Sequence, residues 1–353
     1  MSAFAIAALC PLALFGLALW AGGLWGLVGF LYMAVLVMVL DQLVRQLAGD
    51  AADGAEFPGA DALLAVIGLG HLVLLPLVTW GVAGASGLGT GARVLLFFGA
   101  GLWMGQVAHP AAHELIHRGN RWLFRLGVAV YVSLLFGQHA SAHRLVHHRH
   151  VASTDDPNTA RSGEGFYRFA MRAWRGSFVQ GWRAETALRA RGSGGGLHPY
   201  AVYIGGALAA LSLASVVAGT AGVLVWAGLA LHAQSQLLVS DYVQHYGLMR
   251  RVQLDGRLEP VGPRHSWNAG SWFSSALMLN APRHSDHHVH PSRPYPALRL
   301  PPEQDAPRLP WPLPVACAIA FVPSLWRRAI RPHLAQWKVS ATPPPNTEAN
   351  TGP

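Results

Sequence analysis

Long apolar segments constrain the fold of this chain more than any other feature of its sequence. A helix needs roughly 20 apolar residues to cross a hydrocarbon core of about 30 Å. Six segments of the 353-residue chain reach this length, and they lie near 3–20, 23–40, 62–84, 90–110, 199–218 and 220–240. We therefore predict an all-α integral membrane protein with about six transmembrane helices.

The composition agrees with a membrane protein. Hydrophobic residues make up 52% of the chain and charged residues only 12%, which is unusual for a soluble domain. The two cysteines, Cys10 and Cys317, both lie in apolar segments, so we expect neither a disulfide framework nor a cysteine-ligated metal. We predict one membrane-embedded domain over residues 1–340 and a disordered tail over the polar, proline-rich residues 341–353.

The arginines indicate the orientation in the membrane. With the amino terminus inside, the segments after the fourth and sixth spans are also inside, and they hold nearly all the arginines. The formal charge of +9 can meet anionic lipid headgroups or an acidic protein partner, and we expect no nucleic-acid partner. The predicted location is a bacterial-type inner (plasma) membrane with both termini in the cytoplasm.

Three further segments are predicted not to cross the membrane: the first is half-buried or interfacial, and the other two lie along the membrane surface. Trp122 to Gln138 is short, carries Arg125, and separates histidine groups that must meet on one side of the membrane. Residues 165–192 form an arginine-rich amphipathic pattern, and 309–325 is a short apolar segment interrupted by prolines.

Nine of the 18 histidines occur in four tight groups, which this topology brings to the inner side of the membrane. An i, i+4 spacing puts His113 and His117 on one helical face. The same spacing predicts that His143 and His147 share a face, with the next residue turned by about 100°. The nine residues are His113, His117, His143, His147, His148, His245, His284, His287 and His288.

Nine clustered imidazoles exceed what one metal ion can bind. A metal ion takes roughly four to six donors, and imidazole suits the later divalent transition metals, so the sequence predicts a di-metal site. Neutral ligands leave the cations uncompensated, and carboxylates should therefore orient the imidazoles through their remaining ring nitrogens. The candidate carboxylates are Glu114, Asp155, Asp156, Glu164, Asp241 and Asp286.

A zinc metalloprotease is a distant alternative. Residues 113–117 match the H-E-x-x-H pattern, in which Glu114 would be the general base. That interpretation needs only one more ligand and gives six clustered histidines no role. A metal-storing or metal-transporting membrane protein is a further alternative, although a store would favour carboxylate-rich, exposed ligands.

The order of these motifs resembles the membrane alkane 1-monooxygenase family, within the fatty-acid desaturase-like superfamily. The resemblance covers about residues 100–300. It is carried by His-Glu-Leu-Ile-His at 113–117, His-Arg-Leu-Val-His-His at 143–148, Asp-Tyr-Val-Gln-His-Tyr-Gly at 241–247 and Arg-His-Ser-Asp-His-His at 283–288. Supporting matches are the segments 156–164, 265–268 and 325–328.

This resemblance implies a function and its cofactors. The nine histidines would bind two iron ions, O₂ would be the co-substrate, and a terminal methyl group of an alkane or similar hydrocarbon would be hydroxylated. Rubredoxin, with its reductase, would donate the electrons, since the chain has no flavin or nucleotide fingerprint and no iron–sulfur cysteines. Xylene-type methyl hydroxylation and fatty-acyl desaturation are the alternative reactions.

The chain departs from the family pattern near the motifs, and because of these departures the resemblance does not identify the particular substrate. Ala142 stands where the family usually has Glu, Asp241 and Gln244 stand for Asn and Glu, and Ala281-Pro282 replaces Leu-Gln. We expect the substrate to enter from the bilayer between the spans, although core packing would also explain each candidate lining residue. These candidates are Trp25, Phe30, Tyr32, Phe97, Phe98 and Trp103.

Overall fold

The computed structural model describes residues 1–193 and 196–340, so the predicted disordered tail, 341–353, lies outside the described residues. Within that part of the chain the regular elements are helices, accompanied by isolated β-bridges. The prediction of an all-α protein is therefore confirmed.

Five helices of the described chain are long and apolar enough to cross a membrane. A π-helical segment interrupts the second at Tyr32–Leu36 and the fourth at Met104–Ala108. The five are α1 (Ser2–Ala21), α2 (Leu24–Leu43), α3 (Ala60–Ala83), α4 (Thr90–Ile116) and α8 (Pro199–Gln244).

Helix α8 has the length of two spans and is broken between them. Ala218 and Gly219 have non-helical backbone angles, and the φ of 60° at Gly219 belongs to the region that favours glycine. A Cβ atom at Gly222 would collide with the backbone oxygen of Ala214, whereas residues eight apart in a straight helix are separated by about 12 Å. The chain therefore turns back at 218–219, between the predicted segments 199–218 and 220–240. The total of six spans stays a prediction.

The outer faces of the long helices carry large apolar side chains. Trp20, Val216 and Leu224 are 85%, 84% and 68% exposed. In water such surfaces would drive association, whereas hydrocarbon is a suitable solvent for them. Their inner faces pack together, and α8 contacts α3 and α4 in the centre of the bundle.

The remaining helices are shorter or less apolar, and several of them lie at the end of the bundle where α2, α4 and α8 finish. They are α5 (Arg121–Ser133), α6 (139–150), α7 (Phe166–Leu188), α9 (Trp272–Leu277), α10 (His284–Val289), α11 (Leu313–Ala320) and α12 (Pro323–Ser340). Helix α6 consists of His139–Ala142, the π-helical His143–His147 and His148–His150. The predicted surface segments correspond to α5, α7 and the pair α11 and α12, and none of these meets the criteria for a membrane span.

Two buried ionisable residues connect chain segments at this end of the bundle that are distant in sequence. Asp41, near the end of α2, accepts hydrogen bonds from the backbone N–H groups of Phe273 and Ser274 at 2.8 and 2.9 Å and so caps α9. The fully buried Arg283 donates to Asp50 at 2.7 Å and to the Ala48 oxygen at 2.6 Å. The segment between α2 and α3 is thereby tied to the first turn of α10.

Candidate metal centre

The structure brings all nine predicted histidines together in two groups. In each group the ligand-capable atoms lie within 4.8 Å of one another. The carboxyl end of α4, helix α6, the residue after α8 and helix α10 supply them. The five-histidine group contains His113, His117, His143, His148 and His287, and the four-histidine group contains His147, His245, His284 and His288.

The imidazoles point their Nε2 atoms at shared centres. Nε2 of His143 lies 2.7 Å from that of His113 and 2.9 Å from that of His148. Nε2 of His284 lies 2.9 Å from that of His245 and 3.1 Å from that of His288. Two nitrogens bound at right angles to one metal, at about 2.1 Å each, are roughly 3 Å apart. The donor set therefore fits metal ions.

The histidines of the second motif are divided between the two groups in a way that the predicted helical spacing did not anticipate. We expected His143 and His147 to share a face, but His143 faces His148 instead. Because His143–His147 is a π-helix, residues i and i+5 come together. The i+4 neighbour, His147, turns toward the other group, where its ring centre lies 4.8 Å from that of His245.

The last motif is also divided between the groups. In α10, His284 pairs with His288 at i+4, with their Nε2 atoms 3.1 Å apart. His287 instead faces His148, at 3.1 Å between their Nε2 atoms, so the i, i+3 pair of the sequence does not share a group. The ring centres of His148 and His288 are 4.8 Å apart. The two groups therefore lie side by side.

Burial keeps most of these imidazoles neutral. It lowers the pKa of His117 to about 2, with further lowering by the positive charge that His113 and Arg144 would add. Burial likewise lowers the pKa of His245 to about 3. A neutral imidazole has a lone pair to give to a metal ion. The protonation states at neutral pH are thus those that ligation needs.

Asp156 fixes the orientation of one imidazole. Its Oδ2 lies 2.9 Å from His147 Nδ1, and it also accepts a hydrogen bond from the Thr159 hydroxyl at 2.7 Å. Burial alone would lower the pKa of His147, but the carboxylate overrides this and raises it. With Nδ1 engaged, Nε2 of His147 faces its group, buried and without a hydrogen-bond partner. A carboxylate behind the ring is typical of a metal-ligating histidine.

The other predicted carboxylates hydrogen-bond elsewhere in the described chain. Glu114 accepts from the Tyr295 N–H at 3.1 Å and Arg118 at 3.3 Å, and its Oε1 is 4.0 Å from His113 Nδ1. Asp155 is exposed. Glu164 pairs with Arg172, Asp241 with Asn158, and Asp286 with His290 and Arg293. The expected contacts with ligand imidazoles are thus absent at Glu164, Asp241 and Asp286 in the described chain.

A cavity of about 300 Å³ reaches the histidine groups from inside the bundle. Most of its wall is apolar, and its metal-side end is formed by His113, His143, His284 and His287. Apolar walls exclude water and suit a hydrocarbon ligand. Gln106, Gln236 and Ser240 belong to this wall and were not predicted, although polar residues inside a span usually face the bundle interior.

The residues predicted to line a substrate channel do not border this cavity. Trp103 is buried and donates to the Ala8 oxygen at 2.9 Å, and Tyr32 donates to the Ala7 oxygen at 3.2 Å. Phe97 stacks on His232. Trp25 and Phe98 are 41% and 48% exposed on the outer surface, and Phe30 is half-buried. Lipid-facing, packed and cavity-lining aromatics have the same hydropathy, so hydropathy could not select the residues that line this cavity, and an entry route past the six residues stays a prediction.

Two adjacent groups of buried and half-buried imidazoles inside a helical bundle define the class of this protein: a helical membrane protein whose histidine-rich site can hold metal ions. A family model described as fatty acid desaturase matches residues 87–313. Alkane 1-monooxygenase 1 of Pseudomonas aeruginosa is 32% identical over 289 residues, 76% of this chain and 73% of that protein. Alkane 1-monooxygenase 2 of Alcanivorax borkumensis is 26% identical over 318 residues, 88% and 83% of the two chains.

A third relative is named for a different substrate. The xylene/toluene monooxygenase hydroxylase component XylM of Pseudomonas putida is 29% identical over 238 residues, 65% of this chain and 61% of that protein. The chain belongs to the alkane 1-monooxygenase family, within the fatty acid desaturase family, and it is an oxidoreductase. The resemblance seen in the motifs is confirmed.

Proposed function

We propose that this protein is a non-haem di-iron monooxygenase that hydroxylates a terminal methyl group of an alkane or similar hydrocarbon, using O₂. The observation that carries the proposal is the convergence of nine imidazoles, in two groups, beside an apolar cavity that four of them line. The two alkane 1-monooxygenase relatives support the substrate class.

The substrate itself requires a metal. An unactivated C–H bond offers no acid, base or leaving group, so polar side chains cannot attack it. Two bound iron ions would supply the electrons and the oxidising power that O₂ chemistry at such a bond needs. The five-histidine group would hold one ion and the four-histidine group the other. The unpartnered Nε2 atoms of His117 and His147 support this assignment.

The protein's own contribution is binding, orientation and exclusion of water. Asp156 holds the His147 ring by its Nδ1 atom, which leaves Nε2 for the metal. The cavity would hold the hydrocarbon with one end against His113, His143, His284 and His287. Its apolar wall binds every methylene group alike, so the position at which the chain stops against these imidazoles would determine regioselectivity.

We further propose that rubredoxin, with its reductase, delivers the electrons on the cytoplasmic side of the inner membrane. Both termini and the metal centre would lie on that side, within one domain spanning 1–340. Most of the arginines belong to the segments after α4 and α8, and a basic surface formed by them would suit an acidic redox partner. Contact of these arginines with anionic lipid headgroups is the competing interpretation.

Hydroxylation of a methyl group on an aromatic ring is a second candidate, because the xylene/toluene relative matches over much of the chain. The zinc metalloprotease gains no support. Glu114, its required base, is held by the Tyr295 N–H and by Arg118, and eight other histidines besides His113 converge at the site.

Metal analysis and product analysis test the proposal together. The purified protein should contain two iron ions per chain. Given rubredoxin, its reductase and NADH, it should convert octane or hexadecane to the primary alcohol, with xylene and fatty-acyl substrates as comparisons. One zinc ion per chain would refute the di-iron centre, and an alkene as the only product would refute hydroxylation.

A further inference from the structure

The apolar cavity has one polar wall. Gln236, Ser240 and Gln244 follow one another at i, i+4 and i+8 along α8, and all three line the cavity. Asp241 and Gln106 of α4 border the same wall. The wall extends for about 12 Å, at 1.5 Å per residue, from the last residue of α8 toward the middle of the membrane. A pure hydrocarbon could form no hydrogen bond with any of these groups.

Most of the polar wall is occupied by hydrogen bonds within the protein. Ser240 donates to Gln244 Oε1 at 2.9 Å, and Gln244 Nε2 donates to the Ala281 oxygen at 3.1 Å. Gln236 Nε2 donates to the Gly101 oxygen at 2.9 Å. These side chains are held in place and are poor partners for a ligand.

Half of the carboxyl group of Asp241 is unused; Gln106 Oε1 also has no hydrogen-bond partner, but that atom is buried. The residue is 9% exposed, and its Oδ2 accepts a hydrogen bond from Asn158 Nδ2 at 2.6 Å. Asn158 is fixed in turn by Ser177, whose hydroxyl donates to Asn158 Oδ1 at 2.6 Å. Across the described residues, Oδ1 of Asp241 meets no hydrogen-bonding group. The carboxyl group is thus rigidly held at the cavity with one oxygen free.

An unpaired polar atom facing an apolar cavity is unfavourable, and a ligand that satisfies it gains affinity. We infer that the cavity binds aliphatic primary alcohols, with the hydroxyl group hydrogen-bonded to Oδ1 of Asp241. A hydroxyl can donate to a carboxylate and accept from a carboxylic acid, so it fits either protonation state. A fatty acid would place its own carboxylate beside that of Asp241, and the two like charges would repel each other.

This inference rests on the proposed function, because a primary alcohol is the product of terminal hydroxylation, and it assigns that product a binding subsite. The subsite lies four residues before His245, at the metal end of α8. The alcohol should therefore compete with the hydrocarbon for the cavity.

Binding can be measured without turnover. The full-length protein in lipid nanodiscs is equilibrated with radiolabelled 1-decanol or with undecane, which replaces the hydroxyl by a methyl group. Empty nanodiscs of the same lipid correct for partition into the bilayer. We expect the wild-type protein to retain decanol about three- to tenfold more strongly than undecane, the range of one net hydrogen bond.

Variants of the carboxyl group provide the decisive comparison. Asp241→Leu should bring the decanol-to-undecane ratio close to one, whereas Asp241→Asn, which keeps a hydrogen-bonding group and the contact with Asn158, should retain part of the preference. Leu237→Ala, a change in the apolar lining, should weaken the binding of decanol and of undecane alike. Thermal melting of each variant verifies that it is folded.

An equal decanol-to-undecane ratio in the wild type and in Asp241→Leu would overturn the inference. Stronger retention of decylamine than of decanol by the wild type would overturn it as well. Should Asp241→Leu fail to fold, a reduced but still measurable preference for decanol in Asp241→Asn supports the subsite, whereas an unchanged preference in that variant, or a ratio near one in the wild type, overturns it. Binding without any hydrocarbon oxidation would refute the proposed function alone.

Discussion

The contact between Asp156 and His147 determines both the proton position and the orientation of one imidazole. Asp156 is buried, and although burial raises the pKa of its carboxyl group, the neighbouring His147 and the hydrogen bonds from Thr159 and Asn158 lower it below the ordinary value. The group therefore stays ionised and holds the proton of His147 on Nδ1. A carboxylate in this position makes the opposite nitrogen a better metal donor.

Asp156→Ala should therefore reduce iron affinity or hydroxylation about 10- to 100-fold, the usual effect of losing such a carboxylate. Iron content per chain, measured by plasma mass spectrometry, and the initial rate of alcohol formation test this prediction. Asp155→Ala is a matched control, because the neighbouring side chain is exposed. Equal iron content and rates in both variants would show that His147 needs no partner for its orientation.

Glu164 gives the protein a pH-dependent contribution to stability. It accepts hydrogen bonds from Arg172 at 2.6 and 3.0 Å. Burial raises the pKa of Glu164, but the bonds from Arg172 and Arg161 outweigh it and lower the pKa below its ordinary value of 4.5. Because the folded-state pKa is lowered, the stabilisation is complete above pH 4.5 and is lost as the pH falls through the folded value.

Glu164→Gln should accordingly melt a few degrees below the wild type at pH 7, and this difference should shrink as the pH falls below about 4.5. Thermal melting in detergent over a series of pH values measures it. The exposed Glu56, changed to Gln, serves as the control and should have little effect at any pH. A difference that is constant with pH would assign the loss to packing rather than to charge.

Among the elements, the π-helical segment of α6 decides how the histidines are divided. Its wider turn brings His143 and His148 together and turns His147 toward the other group. With ordinary α-helical geometry the same motif would direct His143 and His147 to one face. The extra residue of the π-helix is therefore part of the construction of the two groups, as at many functional sites.

Inserting one alanine after Val146 should move His147 and His148 one position along the helix and rotate them by about 100° relative to His143. The insertion variant should fold, as judged by gel filtration, but contain fewer than two iron ions per chain. Val146→Ala, which keeps the number of residues, should retain both. Full iron loading of the insertion variant would mean that the register of α6 is unimportant for the metal centre.

The elements differ in how well the sequence predicts them. Segments of 20 apolar residues and the break at Gly219 could be predicted, because span length and backbone conformation depend on local sequence. The nine histidines could be selected because their motifs are specific. The π-helix at His143–His147 could not, since it depends on tertiary packing. Nor could the cavity lining, because Phe98 faces outward although its hydropathy equals that of cavity-lining Phe321.

At the scale of the whole molecule, the described structure places several chain segments on the side of the histidine groups. Phe4, near the amino terminus, packs against Tyr295 with ring centres 5.1 Å apart. Tyr295 in turn donates its N–H to Glu114, beside the first histidine pair. Asp50, between α2 and α3, binds Arg283 at 2.7 Å. The amino terminus, the segment after α2 and the ends of α4 and α8 therefore share one side, as an inside amino terminus requires.

The positive-inside rule then predicts that this side is the cytoplasm. In a variant whose native cysteines, Cys10 and Cys317, are replaced by alanine, a new cysteine at Asp155 should react with a membrane-impermeant maleimide only after the cells are permeabilised. A new cysteine at Ala85, exposed between α3 and α4, should react in intact spheroplasts. The reverse pattern would put the metal centre on the outer side, where a cytoplasmic electron donor could not reach it, and labelling of both positions in intact spheroplasts would contradict the six-span topology.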